Sequence, residues 1–183
     1  MSAQTDNHNA DEDGQTRRDF LMLTAGAFGA VGVGCFAWPF IDSLNPAADT
    51  LAMSTIEVDL TPIQEGQAIT VKWRGKPVFV RHRTAKEIEA ARAVNVVDLR
   101  DKQTDQDRVK KDQWLIMVGV CTHLGCVPLG QKDTDPKGDF GGWFCPCHGS
   151  HYDTSGRIRK GPAPKNLSIP EYAFKTDTLV KVG

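Results

Sequence analysis

Two short segments rich in cysteine and histidine carry the chemistry of this sequence. Residues 121–126 read CTHLGC and residues 145–150 read CPCHGS, so together they contain four thiols and two imidazoles. These side chains are the usual protein ligands of zinc and of iron-sulfur clusters. The residues between the two segments include Gly138, Gly141 and Gly142, which allow the backbone tight turns. The spacing therefore predicts two loops that face one another around a metal centre.

The identity of the metal depends on how many of the six groups it uses. A structural zinc site takes four ligands, commonly from Cys-x2-Cys or His-x3-His pairs, whereas the first pair here is Cys-x-His. Zinc would leave two cysteines without a role, while two Cys/His pairs and one further cysteine pair use all six groups. An iron-sulfur cluster is therefore favoured, and a zinc-stabilised interaction module stays open as the alternative.

Composition limits the remaining possibilities. The chain has 183 residues, enough for one domain of ordinary size and an appendage. Its 22 Lys and Arg balance 23 Asp and Glu, so the net charge is -1 and the basic excess that binds phosphate backbones is missing. Nucleic acid is therefore not expected as a partner. Five cysteines are also too few for a disulfide scaffold.

The N-terminal part predicts an export signal followed by a transmembrane helix. Residues 1–19 are polar and are interpreted as a cytoplasmic tail that carries Arg17 and Arg18, the arrangement of a twin-arginine (Tat) signal. Residues 20–41 form a run of 22 uncharged residues. As a helix this run would span roughly 33 Å at ~1.5 Å per residue, which is enough for a hydrocarbon core of ~30 Å.

The residues around this run predict its orientation. Arginines before the run bias the N-terminus towards the cytoplasm, and no Lys or Arg follows until Lys72. Residues 44–48 read LNPAA, which lacks a clean Ala-x-Ala cleavage site. We therefore expect a retained single-pass helix in the bacterial inner membrane, with the following chain in the periplasm.

The rest of the chain predicts a linker and a mostly β head domain. Residues 42–53 are small and polar with one proline, which is typical of a flexible hinge. Residues 54–183 contain several short runs in which apolar and polar side chains alternate, as in antiparallel sheet. The predicted strands are residues 56–60, 69–73, 78–80, 114–118 and 178–182.

Two connecting segments of the head have patterns of their own. Thr84 with Glu87 three residues later forms a capping box, which predicts a short helix through about Ala93. Residues 101–112 alternate in charge sign, which predicts a solvated loop. Neither segment is expected to take part in catalysis.

The two cysteine and histidine segments match a known motif. Cys-x-His-x2-Cys followed by Cys-x-Cys-His-x-Ser resembles the Rieske family, whose [2Fe-2S] centres carry two histidines in place of two cysteines on one iron. The extra cysteine pair resembles the high-potential branch found in quinol:cytochrome c oxidoreductase, respiratory complex III. Tail, anchor, linker and head also agree with that branch. The resemblance implies an antiparallel β Rieske head with a cluster-binding subdomain at about residues 119–164.

The same resemblance implies a role for six residues of the motif. Two cysteines would bind the inner iron, two histidines the outer iron, and the other two cysteines would form a disulfide, which an oxidising export compartment allows. The implied ligands are Cys121, Cys145, His123 and His148, and the implied disulfide joins Cys126 and Cys147.

The resemblance also implies roles around the cluster for four further residues. The hydroxyls of Ser150 and Tyr152 would raise the midpoint potential, because hydrogen bonds to sulfur stabilise the reduced state. Leu124 would give the cluster tip an apolar surface, with simple loop packing as the alternative. Pro162, in the sequence GPAP, would shield the cluster, with a generic turn as the alternative. The histidines that are not expected to bind metal are His8, His82 and His151.

The function implied by the resemblance is electron transfer by a redox subunit of quinol-cytochrome-c reductase, which is a translocase. The chain is not expected to be active alone. The cluster would take one electron from quinol, such as ubiquinol, while His148 accepts the proton, and would pass the electron to a membrane-bound c-type cytochrome. Expected partners are quinol, cytochrome b and a cytochrome c subunit in a dimeric, proton-translocating complex. The alternative is the exported Rieske small subunit of an arsenite-oxidase-like enzyme. Ring-hydroxylating oxygenases fit less well, because their Rieske domains lack the second cysteine pair.

Overall fold

The computed structural model describes residues 16–47, residue 50 and residues 54–183, and the chain divides into two compact units after residue 47. Residues 1–15 of the expected tail lie outside the described residues. So do residues 48, 49 and 51–53 of the expected hinge.

Helix α1 spans Arg17–Asp42 in the first unit. Its N-terminus is closed by a capping box, because the Thr16 hydroxyl accepts from the Asp19 N–H while the Asp19 carboxylate accepts from the Thr16 N–H. A window of 18 residues has a mean hydropathy of 1.9, and none of that window is buried. The helix is therefore long and apolar enough to cross a membrane, and it includes the paired arginines in its first turn.

The second unit is built from short antiparallel strands. The described strands are β1 (Ile56–Asp59), β2 (Ala68–Trp73), β3 (Lys76–His82), β4 (Trp114–Val118), β5 (Gly141–Cys145), β6 (Ser150–Asp153), β7 (Ile158–Lys160), β8 (Tyr172–Phe174) and β9 (Leu179–Val182). They form three sheets with the orders β1-β9-β8, β2-β3-β4 and β5-β6-β7. The antiparallel β fold expected from the alternating runs is confirmed, with β1 to β4 and β9 at the predicted places. Strands β5 to β8 were not predicted, because apolar and polar residues do not alternate along β5 and β6, and β7 and β8 have only three residues each.

Strand β4 separates two hydrophobic cores. All five of its residues are buried, and successive side chains of a strand point to opposite faces. Trp114, Ile116 and Val118 belong to one core, with β1 and β9. Leu115 and Met117 belong to the other core, which also contains residues of β5 to β7. The β2-β3-β4 sheet therefore supports the metal-binding part of the head on one face and the remaining sheet on the other.

Helix α2 spans Ala85–Arg92 and starts at the predicted capping box. The Thr84 hydroxyl accepts from the Glu87 N–H, and the Glu87 carboxylate accepts from the Thr84 N–H. Glu87 also binds the guanidinium of Arg81 on β3, with one Nε···O distance of 3.1 Å. The cap therefore fixes the start of the helix to the central sheet.

The prediction of a solvated loop at residues 101–112 is wrong at two positions. Asp105 is 3% exposed and Arg108 is 2% exposed. Asp105 binds Arg83 with an Nη1···Oδ1 distance of 2.6 Å and accepts from the Ser155 hydroxyl at 2.7 Å. Alternating charge signs suit both a solvated loop and a set of buried ion pairs, so the pattern alone did not distinguish them.

These buried charged side chains connect the segment before β4 to the segment that follows β6. Arg108 donates to the carbonyl oxygens of Ser155 at 2.7 Å and of Leu167 at 2.6 Å. Arg157, which is also buried, binds Asp153 through Nε at 2.8 Å and the carbonyl of Ala91 at 2.6 Å. Because each guanidinium bonds to groups distant in sequence, the network fixes the β6-β7 turn to the rest of the fold.

Burial by itself would raise the pKa of Asp105, but hydrogen bonds from Arg83 and Ser155 and the charges of Arg83 and Arg157 outweigh it. The pKa of Asp105 in the folded state therefore lies below its ordinary value. A carboxylate of this kind stabilises the fold above its unfolded pKa of about 3.9, and this contribution is lost as the pH falls through the lower folded pKa.

Replacement of Asp105 should show how much its buried ion pair with Arg83 contributes to stability. Asp105→Asn should lower the free energy of unfolding at pH 7 by about 3–5 kcal/mol, because Arg83 stays buried without its counter-ion. The variant should also lose less stability than the unchanged protein when the pH falls below ~4. Denaturant unfolding at a series of pH values measures both effects. The control is Asp177→Asn, which should change stability far less, since the Asp177 side chain is 99% exposed in its pair with Lys111. Equal losses in the two variants would contradict the prediction.

Candidate metal centre

Loop 1, residues 119–130, follows β4 and carries the first cysteine and histidine segment. The Cys121 N–H donates to the Cys126 carbonyl at 2.7 Å, and the Gly125 N–H donates to the Cys121 carbonyl at 2.9 Å. Gly125 has a φ of +84°, a backbone conformation that residues with a side chain rarely adopt. The two hydrogen bonds close the loop on itself and hold His123 between the two cysteines.

Loop 2, residues 146–149, is the turn between β5 and β6. Cys145 at the end of β5 pairs in register with Ser150 at the start of β6. The Gly149 N–H closes the turn on the Cys145 carbonyl at 3.0 Å. The hairpin therefore places Cys147 and His148 at its tip, with Cys145 at its base.

The structure divides the four cysteines of the two segments into a bonded pair and two free thiols. Cys126 of Loop 1 and Cys147 of Loop 2 form a disulfide, as expected. Cys121 and Cys145 are free, and each is 2% exposed. The Cys145 sulfur lies within 4.8 Å of both disulfide sulfurs. Two buried thiols therefore lie beneath a covalent link between the loops.

The two histidines of the motif lie against each other. The ring centroids of His123 and His148 are 4.6 Å apart and the rings are nearly perpendicular, at 85°. His148 is exposed, whereas the Nδ1 atom of His123 is buried and has no hydrogen-bond partner among the described residues. An unpaired buried polar atom costs ~1–3 kcal/mol. A partner that is not a protein group is therefore expected at this nitrogen.

The surroundings of the Cys145 thiol oppose its deprotonation. Burial raises the pKa of the Cys145 thiol; the N–H of Cys147 lowers it, and the neighbouring Cys121 thiol raises it again. A metal cation reverses this balance, because a coordinating thiol is deprotonated outright.

Two hydroxyls lie next to this centre. Tyr152 is fully buried, and its Oη atom is 3.2 Å from the Cys121 sulfur. Burial raises the pKa of Tyr152 and the contact with Cys121 raises it further, so the phenol stays protonated. The Ser150 hydroxyl oxygen is buried and accepts from the Ala163 N–H at 3.2 Å. Both hydroxyls therefore keep a hydrogen that sulfur can accept.

The proline loop, residues 161–166, packs against both ligand loops. Gly161 has a φ of +100°, and a Cβ atom there would lie 2.3 Å from the Gly149 carbonyl oxygen. Only glycine permits this approach to Loop 2. Thr122 of Loop 1 makes the second contact, because its hydroxyl donates to the Lys165 carbonyl at 2.6 Å and accepts from the Lys165 N–H at 3.3 Å. Sequence reasoning missed Thr122, although it lies between two motif residues.

The outer surface of Loop 1 is apolar. Leu124 is 70% exposed and Val127 is 51% exposed. Leu124 therefore does not serve as packing inside the loop. Pro162 is also exposed, on the surface of the proline loop.

The other histidines in the described part of the chain lie outside this centre. His82 stacks on Trp114 with centroids 4.2 Å apart, and its Nδ1 is 3.0 Å from the Ile63 carbonyl. His151 accepts from the Asp139 N–H at 3.1 Å. His8 lies outside the described residues.

Comparison with protein families identifies the class of the chain. Residues 57–173, more than half of the sequence, match the model described as "Rieske [2Fe-2S] domain". The chain belongs to the Rieske [2Fe-2S] family. Residues 7–47 match a second model, described as "Ubiquitinol-cytochrome C reductase Fe-S subunit TAT signal".

Individual relatives agree with this assignment. The Rieske chain is 67% identical over 178 residues to the ubiquinol-cytochrome c reductase iron-sulfur subunit of Rhodospirillum rubrum, covering 96% of this chain and 97% of the relative. It is 55% identical over 185 residues to the subunit of the same name from Rickettsia prowazekii, covering 100% of both. Among solved structures, a chain of "Hyperthermophilic respiratory Complex III" matches with a TM-score of 0.52 and 27% identity, covering 86% of this chain and 98% of that chain.

Family membership confirms the cofactor class predicted from the motif. The Rieske chain carries a [2Fe-2S] cluster and is a redox subunit of the ubiquinol-cytochrome c reductase kind. The zinc-stabilised interaction module is not supported.

The donor set fits a Rieske cluster. Two buried thiols with sulfur and hydroxyl neighbours would supply one half of the ligand set, and two adjoining imidazoles nearer the surface would supply the other. Iron at Nδ1 of His123 would give that buried atom the partner it lacks among the described protein groups.

The two hydroxyls should tune the potential of the Rieske cluster. Ser150→Ala and Tyr152→Phe should each lower the midpoint potential by about 40 mV, since a hydrogen bond is worth ~1 kcal/mol and ~59 mV corresponds to ~1.4 kcal/mol for one electron. Redox titration followed by electron paramagnetic resonance (EPR) measures the shift.

A second tyrosine supplies the control for this experiment. Tyr172 is also buried, but its hydroxyl accepts from the Lys110 N–H at 3.0 Å and belongs to the other core. Tyr172→Phe should leave the potential unchanged. A shift in Tyr172→Phe as large as that in Tyr152→Phe would show that the effect is not specific to the cluster environment.

Proposed function

We propose that Cys121, His123, Cys145 and His148 hold the [2Fe-2S] cluster, and that the chain takes single electrons from quinol and passes them to a membrane-bound c-type cytochrome. The observation that carries the proposal is the buried, unpartnered Nδ1 of His123, which lies beside His148 on two loops joined by a disulfide. Such a pair of histidines replaces two thiolates of an all-cysteine site.

The replacement of two thiolates by imidazoles sets the potential at which the chain would transfer electrons. With neutral imidazoles in place of two thiolates, these residues would hold a cluster whose midpoint potential lies at roughly -150 to +300 mV, against about -400 mV for all-cysteine plant-type clusters. Ser150 and Tyr152 then adjust the potential within that range by donating to sulfur, and Pro162 with its loop restricts water on one side.

His148 has the exposure that a contact with quinol requires. It lies at the tip of the hairpin, where a quinol hydroxyl can donate to the ring nitrogen that does not bind iron. His148 would receive the proton as the electron leaves quinol. The exposed Leu124 and Val127 would place this histidine against an apolar quinol pocket.

The chemistry of quinol supports partner subunits. Oxidation of quinol releases two electrons, whereas the chain's single cluster accepts one, so a second acceptor is needed, and we assign it to cytochrome b in a dimeric complex. Helix α1 would serve as a retained anchor in the bacterial inner membrane, with the tail in the cytoplasm and the head in the periplasm. Residues 42–53 would act as the hinge that lets the head move between quinol and the cytochrome.

EPR of the membrane-bound protein tests the function directly. A rhombic signal with an average g value below the free-electron value should appear with ascorbate or with added quinol as reductant. Appearance of the signal only with dithionite would contradict a high-potential carrier. Reduction by arsenite but not by quinol would favour the arsenite-oxidase-like alternative instead.

The role of His148 predicts a pH-dependent potential. The midpoint should be flat at acidic pH and should fall at alkaline pH, by up to ~59 mV per pH unit where one proton accompanies one electron. Redox titrations between pH 6 and pH 10 measure the slope.

His151→Asn is the matched control for the pH dependence, because His151 is close in sequence but bonds to the Asp139 N–H. This variant should keep the slope. Loss of the slope in His151→Asn, or a flat profile in the unchanged protein, would contradict proton transfer to a ligand histidine.

A further inference from the structure

An arginine outside the motif binds the proline loop. The Nη1 atom of Arg100 donates to the Gly161 carbonyl at 2.7 Å and to the Ala163 carbonyl at 2.6 Å. Arg100 is exposed, and within the described ranges it forms no ion pair with a carboxylate. Its bonds to the loop are therefore its main contacts with the rest of the head.

Neighbouring residues hold Arg100 in place and bind the other end of the same loop. Leu99, directly before Arg100, is 4% exposed. Asp101, directly after it, accepts from the Asn166 N–H at 2.9 Å and, through its carbonyl, from the Asn166 side chain at 3.1 Å. The segment that carries Arg100 is therefore anchored to the core and to the end of the proline loop, which keeps the Arg100 backbone close to that loop.

The bonds of Arg100 lead to the cluster environment through one residue. Ala163 is fully buried, its carbonyl accepts from Arg100, and its N–H donates to the Ser150 hydroxyl oxygen at 3.2 Å. In the described part of the chain, the Ser150 hydrogen has no protein acceptor. A hydroxyl that accepts on one side has its hydrogen directed to the other, and accepting strengthens it as a donor.

We propose that Arg100 is a positioning residue for the cluster, which holds the Ala163 N–H on Ser150 and so keeps the Ser150 hydrogen directed at cluster sulfur. The inference rests on the assignment of Ser150 under the proposed function. Both bonds come from the Nη1 atom, whose two N–H directions are fixed in the guanidinium plane, whereas the N–H groups of a lysine ammonium rotate freely. Loss of Arg100 would free the proline loop and let the Ser150 hydroxyl rotate.

Two measurements test the proposal: the midpoint potential of the cluster and the hydrogen exchange of the Ala163 amide. In membranes that contain the full chain, Arg100→Ala should lower the midpoint potential in the same direction as Ser150→Ala, by a smaller amount, with an unchanged number of clusters by EPR. In the purified complex, the Ala163 amide should exchange with deuterium about tenfold faster, which corresponds to ~1.4 kcal/mol.

Two variants separate hydrogen bonding from charge. Arg100→Lys keeps the charge and should give a smaller shift than Arg100→Ala. Lys102→Ala removes an exposed cation two residues away and should change neither the potential nor the exchange rate. Equal shifts in Arg100→Ala and Lys102→Ala would overturn the proposal, because the effect would then be one of charge alone.

A double variant tests the path through Ser150. If Arg100 acts through that hydroxyl, Arg100→Ala should not lower the potential further in a Ser150→Ala background. An undiminished shift there would overturn the proposal. An unchanged potential in Ser150→Ala alone would remove its premise. Absence of any ascorbate-reducible signal in the parent protein would instead show failure of the proposed function.

Discussion

The geometry of the metal centre depends on keeping two loops from different sheets in one arrangement. Loop 1 follows β4 of the central sheet, and Loop 2 is the turn of the β5-β6 hairpin. Ligand positions in such a site must be held within about 0.5 Å. The disulfide between Cys126 and Cys147 meets this constraint covalently, and the two hydrogen bonds between Thr122 and Lys165 add a second link through the proline loop.

Buried charge, which is costly, provides the support behind these loops. Desolvated ions stabilise a fold only when every group finds a partner. Here Asp105 has both Arg83 and Ser155, while Arg108 bonds to carbonyls of the metal-binding part. Apolar packing at these positions would bury as much surface but would be less directional. The network therefore fixes the orientation of the β6-β7 turn, in which the Gly156 carbonyl accepts from the Leu167 N–H at 2.9 Å.

The centre divides its donors between interior and surface. Cys121 and Cys145 are buried beside Tyr152, where water is excluded and hydrogen bonds to sulfur are strong. His148 lies at the tip of a hairpin against His123, whose chain neighbour Leu124 is exposed. Under the proposed function, this separation would let buried groups set the potential while protons and electrons are exchanged at the surface. The same division explains why the proposed contact with quinol involves histidine and not cysteine.

The sequence by itself determined the cofactor class, the apolar helix and most of the antiparallel strands, because ligand types, a long uncharged run and alternation are all local patterns. The resemblance to a family supplied the disulfide pairing. Strands β5 and β6 were missed because their apolar and polar residues do not alternate, and β7 and β8 because three residues are too few to show a pattern. The burial of Asp105 and Arg108 and the contacts of Arg100 with Gly161 were decided only by the tertiary structure. Those interactions join residues about 40 to 60 positions apart, and alternating charges look the same in sequence whether water or a buried partner satisfies them.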